Sequence, residues 1–291
     1  VLMDELYGGT HAFVTDAFER FGIGYTFAQT HVAAITAAVT DRTRVIVIES
    51  PTNPLLGVVD IAGVAEMARD RGITTIIDNT FASPINQKPA TMGIDVVVHS
   101  GTKYMGGHSD LCCGIAVTTR DRSQAIRHMA RHLGGSLNAM TCYLLERSLK
   151  TLALRVRQQT ANADRMAAFL AGSPSVQRVF YPGLEDAPGH AIARAQMTGF
   201  GAMLSFELDA ARVSTDAFLR SLALIRPAVS LGGVETTICA PAKTSHVKMS
   251  PEERQRIGVT DALLRLSVGI EDVEDLIRDI EGALEQAAIG R

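Results

Sequence analysis

The sequence predicts an α/β protein: a mostly parallel sheet domain followed by a smaller α+β C-terminal domain. Two observations carry this reading. Between residues 43 and 119, short runs rich in Val and Ile alternate with amphipathic helical stretches, the pattern of a sheet covered on both faces by crossover helices. Later in the chain, strand-like runs are instead separated by charged helical stretches, which is the texture of a smaller, more solvent-exposed unit. The boundary is placed at residue 153, giving a domain over 1–153 and a second over 154–291.

The elements follow in order. The opening "VLMDELYGG" is apolar and reads as the end of a strand. "TRVIVIES" (43–50), "ITTIIDN" (73–79), "DVVVHS" (95–100) and "GIAVTT" (114–119) read as strands, because β-branched residues suit a pleated, half-buried surface. Between the first two lies "DIAGVAEMARDRG". Asp60 is its N-cap, Ile61, Val64, Ala65 and Ala68 form one face, and Gly72 is the stop, so one βαβ unit is nearly explicit. Residues 138–172 hold a helical pattern long enough for one kinked helix or two helices. In the second domain "VQRVFYPGL", "GAMLSFELD" and "ALLRLSVGI" read as strands, and "SPEERQRIG" and "EDVEDLIRDIEGALEQAA" as helices.

Composition narrows the function. The 291 residues are 46% hydrophobic and carry a net charge of -3, with no Lys/Arg block, so neither nucleic acid nor an anionic membrane surface is an expected partner. Four cysteines, at 112, 113, 142 and 239, are too few and too irregular for a disulfide framework or a paired-Cys zinc site, and fit a reducing cytoplasm. No apolar run approaches the roughly 20 residues of a membrane span, and the first residues lack a secretory pattern. The chain also begins without Met, which reads as a piece of a longer protein.

In a parallel sheet, ligands bind beyond the carboxyl ends of the strands. Three such ends are unusually polar: Glu49, Ser50, Thr52 and Asn53; then Asp78 and Asn79; then His99, Ser100, Thr102 and Lys103. A carboxylate, an amide, hydroxyls and a lysine on one rim suit an anionic aromatic aldehyde such as pyridoxal phosphate. Desolvation keeps a lysine nucleophilic toward the aldehyde, and a carboxylate at Asp78 keeps the pyridine nitrogen protonated. Ser100 and Thr102 alternate with Gly101 and offer hydroxyls to a phosphate, while Tyr7 offers a ring to stack. Taken singly, Lys103 also reads as a solvated surface charge, Asp78 as a helix cap and Asn53 as turn chemistry. Their occurrence at successive strand ends favours the site.

The strings "YGGT" (7–10), "ESPTNPLLGVVDI" (49–61), "IIDNTFASP" (76–84), "VVVHSGTKYMGGHSD" (96–110), "VSLGGVET" (229–236) and "LLRLSVGIEDVEDLI" (263–277) resemble, in order, the pyridoxal-phosphate enzymes of Cys and Met metabolism. That group includes cystathionine gamma-synthases, gamma-lyases and beta-lyases, methionine gamma-lyases and homoserine-ester sulfhydrylases. The resemblance implies a fold-type I transferase-like architecture and a cytoplasmic homo-oligomer, a tetramer built as a dimer of dimers, acting on a small amino-acid substrate. It implies Lys103 as the cofactor-anchoring lysine and proton shuttle, Asp78 as partner of the pyridine nitrogen, and Ser100 and Thr102 as phosphate ligands. By the same resemblance Tyr7 would stack on the ring and serve as an acid/base, and Asn53 would lie beside the cofactor's hydroxyl and the substrate carboxylate, which Ser230 and Arg265 would hold. An arginine there is chemically apt, since a guanidinium clamps a carboxylate with two parallel bonds.

The family's members carry a substantial segment before the tyrosine of "YGGT". It supplies a Gly-containing turn for the cofactor phosphate and a Tyr/Arg pair that reaches the same phosphate from a neighbouring subunit. Weak or absent activity is therefore the expectation for a chain of this extent, down to a catalytically inert fragment that serves only as an oligomer partner. Gly9 stands where methionine gamma-lyases place Cys, and Val229 where many gamma-synthases and gamma-lyases place Glu, so both readings are weakened.

Three other chemistries are poorer matches. Ser100 to Lys103 spells S-x-x-K, with Ser109-Asp110 and the 243–245 "KTS" echoing serine penicillin-recognising enzymes, but Ser100 and Ser109 stand too close together and Leu111 replaces the required Asn. His128 and His132 have helical i, i+4 spacing without the Glu or third ligand of a zinc site. "GTKY" lacks the upstream glycine and following hydroxyl of a phosphate-binding loop.

Overall fold

Eleven strands among the described residues sort into two sheets. The first comprises β1 (Leu2–Met3), β2 (Phe27–Ala28), β3 (Val45–Glu49), β4 (Thr74–Asp78), β5 (Val96–Ser100) and β6 (Gly114–Thr118). The second comprises β7 (Val176–Phe180), β8 (Met203–Leu208), β9 (Arg226–Pro227), β10 (Thr237–Cys239) and β11 (Leu263–Ser267). These assignments come from a computed structural model, which describes residues 1–244, 247 and 250–290. Ser245 of the "KTS" echo lies outside the described residues.

The first sheet has the order β2-β1-β3-β4-β5-β6, parallel throughout except for the antiparallel edge pair β5 and β6. The expected mostly parallel sheet is thus present, and the opening apolar residues do form a strand. Ile46, Ile48 and Ile77 are fully buried in it, each burial contributing about 1.5–3 kcal/mol. Helix α1 (Gly8–Ala17) and α2 (Val32–Ala38) precede β3. Helix α3 (Ile61–Asp70) joins β3 to β4 as expected: the Asp60 carboxylate accepts the Gly63 N–H at 3.0 Å, and Ile61, Val64, Ala65 and Ala68 face the core. Gly72, at φ +65°, takes the left-handed conformation that ends the helix.

Helix α4 (Ser83–Asn86) follows β4, and α5 (Arg120–Leu133) follows β6. The long helical pattern resolves into two helices, α6 (Ala139–Leu149) and α7 (Leu152–Ala171). Thereafter come α8 (His190–Gln196), α9 (Thr215–Ser221), α10 (Pro251–Arg256) and α11 (Val273–Gln286). The second sheet has the order β7-β8-β11-β10-β9, antiparallel except for β10 and β9. Its core joins Leu204, Phe206, Leu264 and Leu266 to Val156, Met166 and Leu170 of α7 and Leu276 and Ile280 of α11. Tyr104 and Met105, next to Lys103, belong to the same cluster. The segment after β5 is therefore anchored in hydrophobic packing shared with the second sheet.

Candidate active site

Strands β3, β4 and β5 run parallel in register, with Glu49 opposite Asp78 and Asp78 opposite Val98, so their carboxyl ends deliver side chains to one rim. A cavity of about 720 Å³ opens there, within the ordinary range for small-molecule sites. Tyr7, Asn53, Asp78, Ser100, Thr102 and Lys103 border it from the first sheet, and Ser230 and Arg265 from the second. All eight site residues expected from the sequence meet in this one cavity.

Lys103 sits in a tight turn closed by backbone bonds from Lys103 N–H to the Ser100 carbonyl at 3.1 Å and from Gly107 N–H to the Lys103 carbonyl at 2.7 Å. Gly101 is required in that turn, because a Cβ would lie 2.3 Å from the Cys113 sulfur. The Lys103 ammonium donates to Ser230 Oγ at 2.8 Å. Burial pushes its pKa below the ordinary lysine value, and the Arg265 charge lowers it further. Arg265, on β11 and only 7% exposed, donates to Asn53 Oδ1 at 2.9 Å and to the Ser230 carbonyl at 3.1 Å. Ser230 holds φ +78°, a left-handed conformation unfavourable to a residue with a side chain.

Asp78 receives two bonds from Thr80 on its Oδ1, from the N–H at 2.9 Å and the hydroxyl at 2.5 Å. Its Oδ2 has no partner among the described residues. Thr80 Oγ1 also accepts the Ser100 N–H at 2.8 Å and so ties two strand ends together. The sequence reading missed Thr80, although a hydroxyl two residues after an Asp is a recognisable local bonding signal. Glu49 is buried beside Asp78, and its Oε2 accepts the Tyr7 N–H at 2.8 Å. Burial raises both carboxyls, and the Asp78 charge raises Glu49 further. The Thr80 hydrogen bonds oppose the rise at Asp78, as the backbone N–H groups of Tyr7 and Asn53 do at Glu49.

Tyr7 caps α1 at the cavity edge, and the absence of a side chain at Gly9 makes room for its ring, which a Cβ would approach to 2.5 Å. Ser100 Oγ has no partner among the described residues. The Thr102 hydroxyl also borders the cavity, but accepts the Cys113 N–H at 3.1 Å and donates to the Cys113 carbonyl at 3.4 Å.

Ser50, Thr52, Asn79 and His99 are buried and do not border the cavity. The Asn79 amide bonds the Ser83 and Gln87 carbonyls, which makes it a scaffold residue. Burial lowers the His99 pKa to about 4, leaving a neutral ring. Phe81, Cys112, Lys243 and Thr244 also border the cavity and carry no distinguishing sequence signal. His128 and His132 pack ring against ring on α5 at 4.5 Å. Among the described residues, no group of three or more His, Cys, Asp or Glu side chains is placed to hold a metal ion.

The residues present fit pyridoxal phosphate: a buried carboxylate with one free oxygen, an unpartnered serine hydroxyl and a partly desolvated lysine face one cavity of suitable size. The family model for the Cys/Met metabolism PLP-dependent enzyme matches residues 1–285. The chain is 43% identical over 287 residues to a cystathionine gamma-lyase of Bacillus subtilis, covering 98% of this chain and 76% of that protein. It is 41% identical to a cystathionine beta-lyase of the same organism, covering 99% and 74%. A solved cystathionine gamma-lyase of Lactobacillus plantarum, complexed with L-serine, superposes with a TM-score of 0.95 at 39% identity, covering 99% of this chain and 76% of that one. From residue 1 to residue 285, over both sheets and the cavity between strand ends and β11, this chain belongs to the Cys/Met metabolism PLP-dependent enzymes.

Proposed function

We propose that this chain acts at the γ-carbon of a sulfur amino acid or homoserine ester, as a cystathionine gamma-lyase or gamma-synthase. One observation carries the reading. Ser230 bridges the two halves of the chemistry, its hydroxyl accepting from the Lys103 amine and its carbonyl from the Arg265 guanidinium. A carboxylate held by Arg265 therefore places its own α-carbon beside Lys103.

Pyridoxal phosphate, when bound, supplies an electron sink for the bond-breaking step. Lys103 would anchor it, and the same amine is placed to take the α-proton and to return a proton further along the substrate; lowered basicity suits both tasks. Asp78 would hold the ring nitrogen protonated, Ser100 and Thr102 would hold the phosphate, and Tyr7 would cover the ring and act as a second acid/base. Arg265 and Asn53 hold the substrate carboxylate. Residues 1–153 form the cofactor-binding unit in this reading, and 154–291 the smaller one.

Cleavage at the β-carbon is a second reading, favoured by Val229, which leaves no acid before Ser230 at the cavity wall. Methionine cleavage and sulfhydrylation of a homoserine ester are the remaining outcomes. We also place the chain in the cytoplasm as a homo-oligomer, a dimer of dimers. The supports are four free cysteines and the exposed apolar side chains Met129 and Leu133 on α5 and Met140 and Tyr143 on α6.

Product analysis tests the reaction. Supplied with cystathionine, the protein is expected to release cysteine, 2-oxobutanoate and ammonia; pyruvate and homocysteine instead establish β-cleavage. Acylhomoserine plus cysteine is expected to give cystathionine if the chain is a synthase. Methionine and sulfide donors cover the remaining reactions. No keto acid, thioether or homocysteine from any of them overturns the proposal and leaves the inert oligomer partner.

A further inference from the structure

We propose that Arg155 is a positioning residue for Lys103, a buried guanidinium on α7 that fixes the turn carrying the lysine. The side chain is only 5% exposed and lies 51 and 50 residues in sequence from the Tyr104 and Met105 carbonyls that it bonds in that turn. It spreads its donors over four acceptors. One terminal nitrogen donates to the Tyr104 carbonyl at 2.7 Å, and the other to the Ser148 carbonyl at 2.9 Å and the Met105 carbonyl at 3.4 Å. Nε donates to the Thr151 hydroxyl at 3.1 Å. No carboxylate partners it among the described residues, so three carbonyl dipoles and one hydroxyl solvate this charge.

A buried cation without a counter-ion is costly; what it obtains here is geometry. It joins the two residues after Lys103 to the last turn of α6 and the first turn of α7. The turn is shaped to receive it. Gly107 takes φ +71°, and a Cβ there would lie 2.0 Å from the guanidinium. The opposite side of the turn is held as closely, since a Cβ on Gly232 would lie 2.8 Å from the Tyr104 nitrogen, and Val234 N–H bonds the Gly107 carbonyl at 3.0 Å. Lys103 is thus clamped between α7 and the loop that carries Ser230. Arg155 bonds the Tyr104 and Met105 carbonyls and not the Lys103 amine, so it acts on the lysine through the backbone. A lysine at 155 keeps the charge but has one donor atom, which cannot span four acceptors.

The inference rests on the cofactor reading only for its consequence at Lys103, and the experiment separates the two. Arg155→Lys and Gly107→Ala, which attack the contact from opposite sides, are compared with the unaltered chain. Amide hydrogen exchange without added cofactor reads the turn itself: residues 104–107 are expected to exchange about tenfold faster in both variants while the core strands keep their protection. Borohydride fixation at timed intervals after adding pyridoxal phosphate reads how fast Lys103 captures it, with about tenfold slowing expected. With cystathionine, kcat is expected to fall roughly 10- to 100-fold while KM stays within about twofold, because a small displacement of a catalytic group acts on the chemical step. A purely structural role lowers the melting temperature and leaves capture by the folded protein unchanged; that result, or unaltered exchange at 104–107, overturns the proposal. No capture at Lys103 in the unaltered chain sinks the cofactor reading, and the exchange comparison still decides whether Arg155 holds the turn.

Discussion

Glu49 and Asp78 are register partners at the ends of adjacent parallel strands, and burial raises both carboxyls, with the Asp78 charge raising Glu49 further, so the Glu49 proton is held more tightly in the folded chain than in the unfolded one. The folded pKa of Glu49 lies well above its ordinary value of 4.5. Below pH 4.5 both folded and unfolded chains hold that proton. As pH rises from there toward the raised folded value, the unfolded chain ionises first, so the folded chain binds more protons and stability falls with pH. Glu49→Gln keeps an oxygen for the Tyr7 N–H and removes the titration. Denaturant unfolding across this window is expected to show the unaltered chain losing stability relative to the variant as pH rises; parallel curves rule out a proton on Glu49.

Asp78→Asn preserves an acceptor for Thr80 and deletes the charge. Cofactor binding is expected to weaken and kcat to fall roughly 100-fold or more, about 2.7 kcal/mol of barrier. Absorption spectra with steady-state rates check this, and an unimpaired kcat excludes Asp78 as the partner of the ring nitrogen.

Arg265→Lys cannot bond Asn53 and the Ser230 carbonyl together with a substrate carboxylate in the same planar geometry. KM for amino-acid substrates is expected to rise roughly 10- to 100-fold, on the order of 1.5–3 kcal/mol for a charged hydrogen bond. Substrate titrations test it; an unchanged KM moves the carboxylate site elsewhere.

Ser230→Gly relieves a left-handed serine and removes the partner of Lys103. Stability is expected to increase by about 1 kcal/mol, with a loss of activity, since strained residues of this kind are kept where function needs them. Calorimetry paired with rate measurements checks both halves; a variant that is both less stable and fully active contradicts the role assigned to Ser230.

Much of the fold was legible because its signals are local. The β-branched runs at 45–49, 74–78 and 96–100 are long enough to read as strands, and Asp60 with Gly72 brackets α3. Strands β2 and β9 have two residues each and β10 three, too few for any periodicity to register, whereas the equally short β1 was read from its apolar run alone. The site was legible where its residues follow strand ends. Ser230 and Arg265 came only through family resemblance, since they reach the cavity from the second sheet. Thr80 and Arg155 went unseen for a related reason. A threonine beside an aspartate and an arginine within a helical pattern look like ordinary surface chemistry until the strand ends and the Lys103 turn are brought against them.

The most direct test of the whole reading is where the cofactor becomes fixed. The chain has five lysines, Lys88, Lys103, Lys150, Lys243 and Lys248. After loading with pyridoxal phosphate, borohydride reduction and proteolysis, mass spectrometry is expected to find the pyridoxyl group on Lys103, with Lys103→Ala losing both label and visible absorbance. Label on another lysine, or equal label on the Lys103→Ala chain, contradicts it.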